Sequence, residues 1–237
     1  MNKLPDPMQN KLLAALTETE WKILKPQLEW VVLPLGKVLS ESGTTLSYVY
    51  FLTTAIVSLL YIMENGSSAE VAVVGNEGLV GISLFMAGDS TTISAVVYSA
   101  GEAFRLNAQF LQGGFSSCDP LLNLLLRYTQ ALIAQISQTA VCNRYHSIEQ
   151  QLCRWLLLSL DRLHGNVLVM TQEQIANMLG VRREGVTEEA CKLQKAGLIS
   201  YARGRIIILN RLKLEQRSCE CYAVVKKEYD RLLTFSV

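Results

Sequence analysis

Four arginines near the C-terminal end of the chain have the type and spacing that contact with a polyanion requires. Arg182 and Arg183 are consecutive and begin a predicted amphipathic helix, and Arg203 and Arg205 flank a glycine. A guanidinium group donates two parallel hydrogen bonds, which fit either guanine O6 and N7 or a phosphate. Glu184, beside the first pair, can accept a hydrogen bond from cytosine N4. These residues indicate contact with duplex DNA.

The residues around the arginines predict two short helices joined by a glycine turn. Thr171 and Gln174 have the spacing of a capping box, which satisfies free amides at the start of a helix. Gly180 supplies the left-handed residue that ends this helix. The second helix begins at the arginine pair, and its predicted buried face consists of Val186, Ala190 and Leu193. The pattern is typical of a helix-turn-helix, and the apolar run around Arg203-Gly204-Arg205 predicts a hairpin that serves as a wing.

The predicted DNA contacts fall into two chemical groups. Arg183 and Glu184 are placed to contact base edges, where each good pair discriminates by about 1–3 kcal/mol. The wing arginines and the free amides near Thr171 are placed to bind phosphate. Gly185 is interpreted as allowing the second helix to approach the DNA backbone closely. The full predicted set is Thr171, Gln172, Arg182, Arg183, Glu184, Thr187, Glu188, Lys192, Arg203 and Arg205.

A β-rich region precedes this segment. Residues 31–106 contain short apolar runs rich in Val, Ile and Tyr, separated by turn residues at intervals typical of a sandwich or a small barrel. Asn65-Gly66 is the best hairpin signal, because both residues tolerate positive φ in a tight turn. Thr17 followed by Glu20 indicates that a short helix begins before the strands.

A long helix is predicted from Asp119-Pro120, because Asp caps free amides and Pro is tolerated in the first turn. A heptad seam along this helix predicts a partner helix in a symmetric dimer. A second stripe, predicted to pack on the barrel, consists of Leu121, Leu124, Tyr128 and Ala131. The predicted dimer contacts are Leu122, Leu125, Thr129, Leu132, Ile136 and Thr139. One buried helix of a monomer is the alternative, since it too has two apolar sides. A break at residues 143–147 predicts a hinge.

Composition and charge exclude several classes of protein. Of the 237 residues, 50% are hydrophobic and 18% are charged, which excludes a disordered chain. Residues 1–118 carry a net charge of −4 and residues 171–215 one of +3, so a polyanion should bind the second segment. The sequence shows no signal peptide, and its most apolar stretch, residues 48–63, is too short to cross a bilayer. We expect a cytoplasmic protein without membrane contact.

Cysteine and histidine offer weaker signals. Cys142 and His146 are one helical turn apart, and Cys219 and Cys221 are separated by a single residue. Either pair could bind metal or respond to oxidation if other ligands converged on it. Neither pair has the four-ligand spacing of a zinc motif, so structural roles and no metal are predicted. The two histidines, with no serine elbow and no phosphate-loop motif, also argue against an enzyme.

The helix-turn-helix segment resembles the winged helix-turn-helix of the Crp/Fnr regulators. The matching residues are Thr171, Ile175, Gly180, Arg183, Glu184, Val186 and Leu198-Ile199-Ser200. The order of short helix, barrel, long helix and hinge upstream is similar to that family as well. The resemblance implies an α+β chain with an N-terminal jelly-roll β-barrel (residues 1–118), a dimerisation helix with a hinge (119–146) and a C-terminal winged helix-turn-helix domain (147–237).

The resemblance also implies a function. It predicts a sequence-specific transcription regulator that binds a two-fold symmetric DNA site as a homodimer, with RNA polymerase as a further partner and an unknown small-molecule effector in the barrel. A ligand-binding or protein-docking subunit that no longer binds DNA is the alternative. An enzyme with its active site in the barrel is a third possibility, and it would require turnover that barrel mutations abolish.

Departures from the family's pattern reduce the number of effectors and cofactors that this chain is expected to bind. Cyclic-AMP-binding members place a Glu and an Arg on the nucleotide, whereas the Glu position here is occupied by Ile82 and no Arg lies between Lys37 and Arg105. The first cysteine is Cys118 and the first histidine is His146, so an N-terminal iron-sulfur cluster and a barrel haem are not expected either. No cofactor is predicted. The effector-pocket candidates are Gly81, Ile82, Ser83, Ser90, Thr91, Thr92 and Ser94.

Overall fold

The computed structural model describes residues 6–86, 88–112, 120–163 and 165–233. Within these ranges the chain has the predicted α+β composition: antiparallel sheets first, then a long helix, then a mixed C-terminal region. The predicted helix cap at Asp119 and the boundary at residue 118 lie outside the described residues, so the domain limits stay predictions. No helix of the described part is long and apolar enough to cross a membrane.

The N-terminal region contains two four-stranded antiparallel sheets. Their strands are β1 (Glu29–Leu33), β2 (Val38–Ser40), β3 (Tyr48–Leu52), β4 (Ile56–Ile62), β5 (Ser68–Val74), β6 (Leu79–Val80), β7 (Ser94–Ser99) and β8 (Gly101–Asn107). The strand orders are β1-β8-β3-β6 and β2-β7-β4-β5, and apolar side chains of both sheets belong to one core. This is the predicted double-sheet arrangement of a jelly roll. The hairpin predicted at Asn65-Gly66 joins β4 to β5, with Gly66 at a φ of 82°.

Helices cover the ends of the barrel and lead out of it. They are α1 (Lys11–Ala14), α2 (Glu18–Leu24), α3 (Ala108–Gln112), α4 (Pro120–Tyr145) and α5 (Ile148–Leu160), with 3-10 segments at Pro7–Gln9, Lys25–Gln27 and Ile82–Phe85. Thr17 and Glu20 form the predicted cap of α2. Ser147 caps α5 through a capping box with Gln150. The break between α4 and α5 therefore falls at His146 and Ser147, at the end of the predicted hinge.

The C-terminal region contains a three-stranded sheet and four helices. Its strands are β9 (Val167–Val169), β10 (Ile199–Ala202) and β11 (Arg205–Ile208), in the order β10-β11-β9. Its helices are α6 (Gln172–Leu179), α7 (Arg183–Lys195), α8 (Arg211–Arg217) and α9 (Glu220–Leu233). One apolar core runs from the barrel through α4 and α5 into these elements, and its members include Val57, Tyr128, Leu156 and Val186, all fully buried.

Helix α4 packs on the barrel with its predicted side, but the side predicted to contact a dimer partner is mostly buried within the chain. The second stripe packs on the barrel as predicted, and Tyr128 donates a hydrogen bond of 2.8 Å to the Leu79 carbonyl. The predicted dimer seam is wrong in its central positions: Leu125 and Leu132 are each 1% exposed. Thr129 and Thr139 are buried too, and their hydroxyls are bonded to Leu125 O and Arg154 Nη1 inside the chain. Only Leu122 and Ile136 of the predicted set are half-buried.

Another side of α4 is free for a partner. Leu126, Ile133 and Val141 are 46%, 52% and 47% exposed and lie seven and eight residues apart. At 100° per residue this spacing places them on one side of the helix, roughly opposite the barrel. We call this set the exposed stripe. The heptad analysis found a helix with two apolar sides but assigned the barrel-facing side to the partner.

Buried polar contacts tie the barrel to the helices. Arg162 Nε donates to Glu77 Oε1 at 2.7 Å, its Nη1 to the Leu158 carbonyl at 2.7 Å and its Nη2 to Gln135 Oε1 at 3.1 Å. Glu77 follows β5, Gln135 lies on α4, and Arg162 follows α5. Three parts of the molecule therefore meet at one guanidinium, which fixes their relative placement.

A second buried carboxyl group, Glu70 on β5, predicts a pH effect on stability. It accepts hydrogen bonds from Ser58 Oγ and Trp155 Nε1, and burial raises its pKa from 4.5 to about 7. Because the folded state holds this proton more tightly, the stability that Glu70 contributes is fully present below pH 4.5 and is lost as the pH rises through about 7. We expect urea unfolding across this interval to show about 3 kcal/mol more loss in the native chain than in Glu70→Gln. Parallel pH profiles of the two proteins would contradict this assignment.

Candidate nucleic-acid interface

The first helix of the predicted helix-turn-helix is α6, and its start has the predicted geometry. The backbone N–H of Gln174 donates to Thr171 Oγ1 at 3.2 Å, and the backbone N–H of Thr171 donates to Gln174 Oε1 at 2.8 Å. Both halves of the capping box are thus formed. The helix buries Ile175, Ala176 and Leu179 and contacts strand β5 of the barrel.

The turn after α6 directs the second helix outward. Gly180 ends α6 with a φ of 65°, the left-handed conformation that glycine adopts at low cost. The next helix, α7, buries the predicted face of Val186, Ala190 and Leu193. An amphipathic helix anchored in this way must leave its opposite face in solvent.

Gly185 lies where α7 packs against α5. A Cβ atom at this position would lie 2.8 Å from Ile148 Cδ1 on α5, so the Ile148 side chain would have to shift. Because Cδ1 is the flexible end of that side chain, this contact does not by itself require glycine. The interpretation that Gly185 allows close approach to the DNA backbone stays a prediction.

The outer face of α7 carries most of the predicted base-contacting residues. Arg182, Arg183, Glu184 and Glu188 are exposed. Thr187 is half-buried, and its hydroxyl bonds to Gln172 Oε1 at 2.7 Å and to the Arg183 carbonyl at 3.0 Å. Gln172 and Thr187 therefore hold α6 and α7 together, so their polar groups are already engaged within the protein.

The wing is a tight hairpin with an unusual residue at its tip. Ala202 pairs with Arg205 across β10 and β11, and the two residues between them are Arg203 and Gly204, with φ of 50° and 73°. Two positive φ values are characteristic of a type I′ turn, which normally uses Asn-Gly or Gly-Gly. A non-glycine residue costs free energy in this conformation, and such strain is concentrated at functional sites. Among the described residues Arg203 is the only non-glycine with positive φ.

The wing and the two helices enclose one open groove of about 430 Å³. Its lining includes Arg183 at the start of α7, Arg203 of the wing, and Thr171 and Gln172 at the start of α6. The groove also contains Glu173 and Tyr201, which the sequence analysis did not select; its lining is Thr171, Gln172, Glu173, Arg183, Tyr201, Ala202, Arg203 and Gly204. Tyr201 donates a hydrogen bond of 2.8 Å to the Met170 carbonyl and thereby positions the wing beside α6.

Lys192 differs from the other predicted cations. Its ammonium group lies 2.8 Å from Glu188 Oε1 and 3.0 Å from Glu189 Oε1, and the hydrogen bond to Glu188 raises its pKa. A lysine bound to two carboxylates contributes less to phosphate attraction than a free one. The spacing of these residues on α7, three and four apart, could have indicated this pairing from the sequence.

Only some of the effector-pocket candidates line the same cavity. Gly81, Ile82, Ser83 and Thr91 line a cavity of about 60 Å³, and Leu132 and Ile136 of α4 line it as well. Ser83 Oγ is buried and lacks a hydrogen-bond partner among the described residues. Three candidates do not line this cavity: Ser94 is buried and accepts from the Ser42 amide, Ser90 pairs with Thr45, and Thr92 is exposed.

Comparisons with known proteins agree with this geometry. Residues 150–217 match the family described as a Crp-like helix-turn-helix domain. The chain is 23% identical over 219 residues to the global nitrogen regulator of Synechococcus elongatus, a match that covers 88% of this chain and 97% of that protein.

Solved structures show the same fold along most of the chain. A transcriptional regulator of the Crp/Fnr family from Eubacterium rectale matches with a TM-score of 0.69 at 18% identity, covering 86% of this chain and 96% of that one. FixK2 from Bradyrhizobium japonicum matches with a TM-score of 0.67 at 16% identity, covering 81% and 98%. The Eubacterium rectale and Synechococcus elongatus proteins are both described as regulators.

Proposed function

We propose that the chain is a transcription regulator of the Crp/Fnr family that binds duplex DNA as a homodimer through α7 and the wing. The observation that carries this proposal is the groove lined by both Arg183 and Arg203. Arg183 belongs to a helix N-terminus with exposed side chains, and Arg203 to a basic hairpin with positive φ at its tip. The major groove of B-form DNA admits a helix of this kind, and the adjacent phosphates lie within reach of a wing.

We propose that different exposed residues contact the bases and the phosphates. Arg183 and Glu184, in the first turn of α7, contact base edges and select the sequence. Arg203, Arg205 and the amides at the start of α6 bind phosphate and fix the register of the protein on the duplex. Gln172 and Thr187 support this surface from beneath through their mutual hydrogen bond.

We infer that the second copy of the chain binds along the exposed stripe of α4. Regulators of this family act as dimers, and the stripe presents Leu126, Ile133 and Val141 on the side of α4 that the barrel leaves open. Two parallel copies of α4 related by a two-fold axis bring the same residues together. The two α7 helices are then presented to two half-sites of a symmetric DNA sequence.

The cavity in the barrel is the proposed effector site. Its wall includes Leu132 and Ile136 of α4, the helix whose other side carries the exposed stripe. An effector that binds one arrangement of α4 better than another shifts the activity by that difference in affinity. At about 60 Å³, and without a cation among its lining residues, the cavity is unsuited to a cyclic nucleotide. RNA polymerase as a partner and a cytoplasmic location are also part of this proposal.

The salt dependence of binding to a mixed-sequence duplex tests the proposal. Glycine adopts positive φ readily, so Arg203→Gly removes the guanidinium and preserves the turn. We expect weaker binding in this variant, and a slope of log affinity against log salt reduced by about one. The readout is fluorescence anisotropy of a labelled duplex at several salt concentrations.

Arg231→Ala is the matched control. It removes an equal charge from α9, where the exposed Arg231 pairs with Glu228 of the same helix. We expect this variant to bind like the native chain. If both variants behave alike, or if the native chain ignores duplex DNA at low salt, the proposed interface is wrong.

A further inference from the structure

Two pairs of residues that are distant in the sequence come together in the structure. Cys142 and His146 lie at the C-terminal end of α4, and Cys219 and Cys221 at the start of α9. One ligand atom from each of the four lies within 4.8 Å of all the others. We call this set the thiol cluster. Its three cysteines are at most 5% exposed and form a buried cluster separate from the main apolar core.

The distances within the thiol cluster match those of a tetrahedral metal site. Cys142 Sγ lies 3.5 Å from Cys219 Sγ, and Cys221 Sγ lies 3.4 Å from His146 Nδ1. Zinc with sulfur ligands at about 2.3 Å in tetrahedral geometry places those ligands about 3.8 Å apart. Three cysteines and one histidine are also an established donor set for structural zinc.

The groups around the thiol cluster are those that a metal site requires. His146 presents Nδ1 to the cluster, and its Nε2 lies 3.4 Å from the carboxylate of Glu220. A ligating histidine normally donates its second ring N–H to a carboxylate in this way. Gln138 Nε2 donates to Cys221 Sγ at 3.1 Å, so this sulfur already accepts a hydrogen bond from a neighbouring polar group, as ligands of metal sites commonly do.

The charge balance also fits. Three thiolates and a neutral imidazole around a divalent ion leave a net charge of −1, and the three thiol protons pass to solvent. Arg154 supplies a buried positive charge nearby, and its Nη1 donates a hydrogen bond to the hydroxyl of Thr139, one turn before Cys142. Arg154 Nε is buried and has no hydrogen-bond partner among the described residues.

We propose that the thiol cluster binds one Zn²⁺ ion and thereby joins the end of the dimer helix to the last helix of the DNA-binding region. With four protein ligands and little exposure, the site is closed and its role is structural. The ion would connect α4 to α9 across the break at His146 and Ser147. The position of α7 relative to the two-fold axis then depends on bound metal.

Metal analysis of the purified full chain tests this proposal. Prepared under reducing conditions and without chelator, the native protein should contain about one zinc per chain. Cys221→Ser and His146→Gln should lose the zinc, whereas Cys191→Ser, which removes an exposed cysteine outside the cluster, should retain it. The melting temperature of the native chain should fall by at least about 5 °C after chelation and recover with added zinc.

A cobalt titration of the metal-free native chain keeps the test independent of variant folding. Binding at the thiol cluster should produce thiolate-to-cobalt charge-transfer bands and the intense visible bands of tetrahedral cobalt, both displaced by zinc. Native protein without bound metal and without these bands would overturn the proposal. So would stoichiometric iron in place of zinc, or a Cys142–Cys219 disulfide with the remaining thiols free.

Discussion

Ile133→Asp is expected to convert the proposed dimer into monomers and to weaken binding to a symmetric DNA site by at least about 100-fold. Ile133 is 52% exposed at the middle of the exposed stripe. In the proposed dimer, the two-fold axis brings the two copies of this residue close together. Two carboxylates facing each other in an apolar seam repel and lose their hydration. Each monomer retains its α7 but loses the gain in affinity from two linked half-sites. Analytical ultracentrifugation and anisotropy on the same samples measure both effects.

Ile23→Asp is the control for this change. Ile23 is 60% exposed on α2, outside the exposed stripe, so the same substitution is made on an equally accessible apolar residue. We expect it to leave both the dimer and DNA binding intact. A dimeric, DNA-binding Ile133→Asp protein would contradict the placement of the interface on this side of α4.

Glu77→Leu is expected to lower the free energy of unfolding by about 3–5 kcal/mol. The substitution leaves the Arg162 guanidinium buried without its carboxylate, and the side chains of the pair are only 5% and 10% exposed. Removing one partner of a buried ion pair costs more than the pair itself contributes, because the remaining charge is uncompensated. Urea unfolding monitored by circular dichroism measures the loss.

Two further variants show whether the buried charge is the cause. Glu77→Leu combined with Arg162→Met removes both charges and should recover most of the lost stability. Arg231→Ala breaks an ion pair whose partners are 55% and 25% exposed and should cost less than about 1 kcal/mol. A double variant as unstable as Glu77→Leu would show that the destabilisation arises from packing.

The features predicted correctly from the sequence depend on neighbouring residues in the chain. The capping box at Thr171, the left-handed turn at Gly180 and the hairpin at Asn65-Gly66 are each determined within a few residues. The buried face of α7 also follows from local periodicity. Local rules were sufficient to locate the exposed arginines and hence the proposed DNA interface.

The features that the sequence analysis missed depend on distant contacts. Helix α4 has apolar residues on more than one side, and periodicity alone does not show that Leu125 and Leu132 are buried within the chain. A Cβ atom at Gly185 would meet Ile148, which lies on another helix. The thiol cluster exists because α4 and α9 pack together, and no spacing within either segment indicates that its ligands converge.

Selection of bound duplexes from a random pool, using the full native chain, tests the central claim most directly. The account predicts enrichment of an inverted repeat whose half-site centres are about 34 Å apart, one turn of B-form DNA, because two α7 helices contact one face of the duplex. Enrichment of a single unpaired half-site, or of no sequence at all, would contradict it.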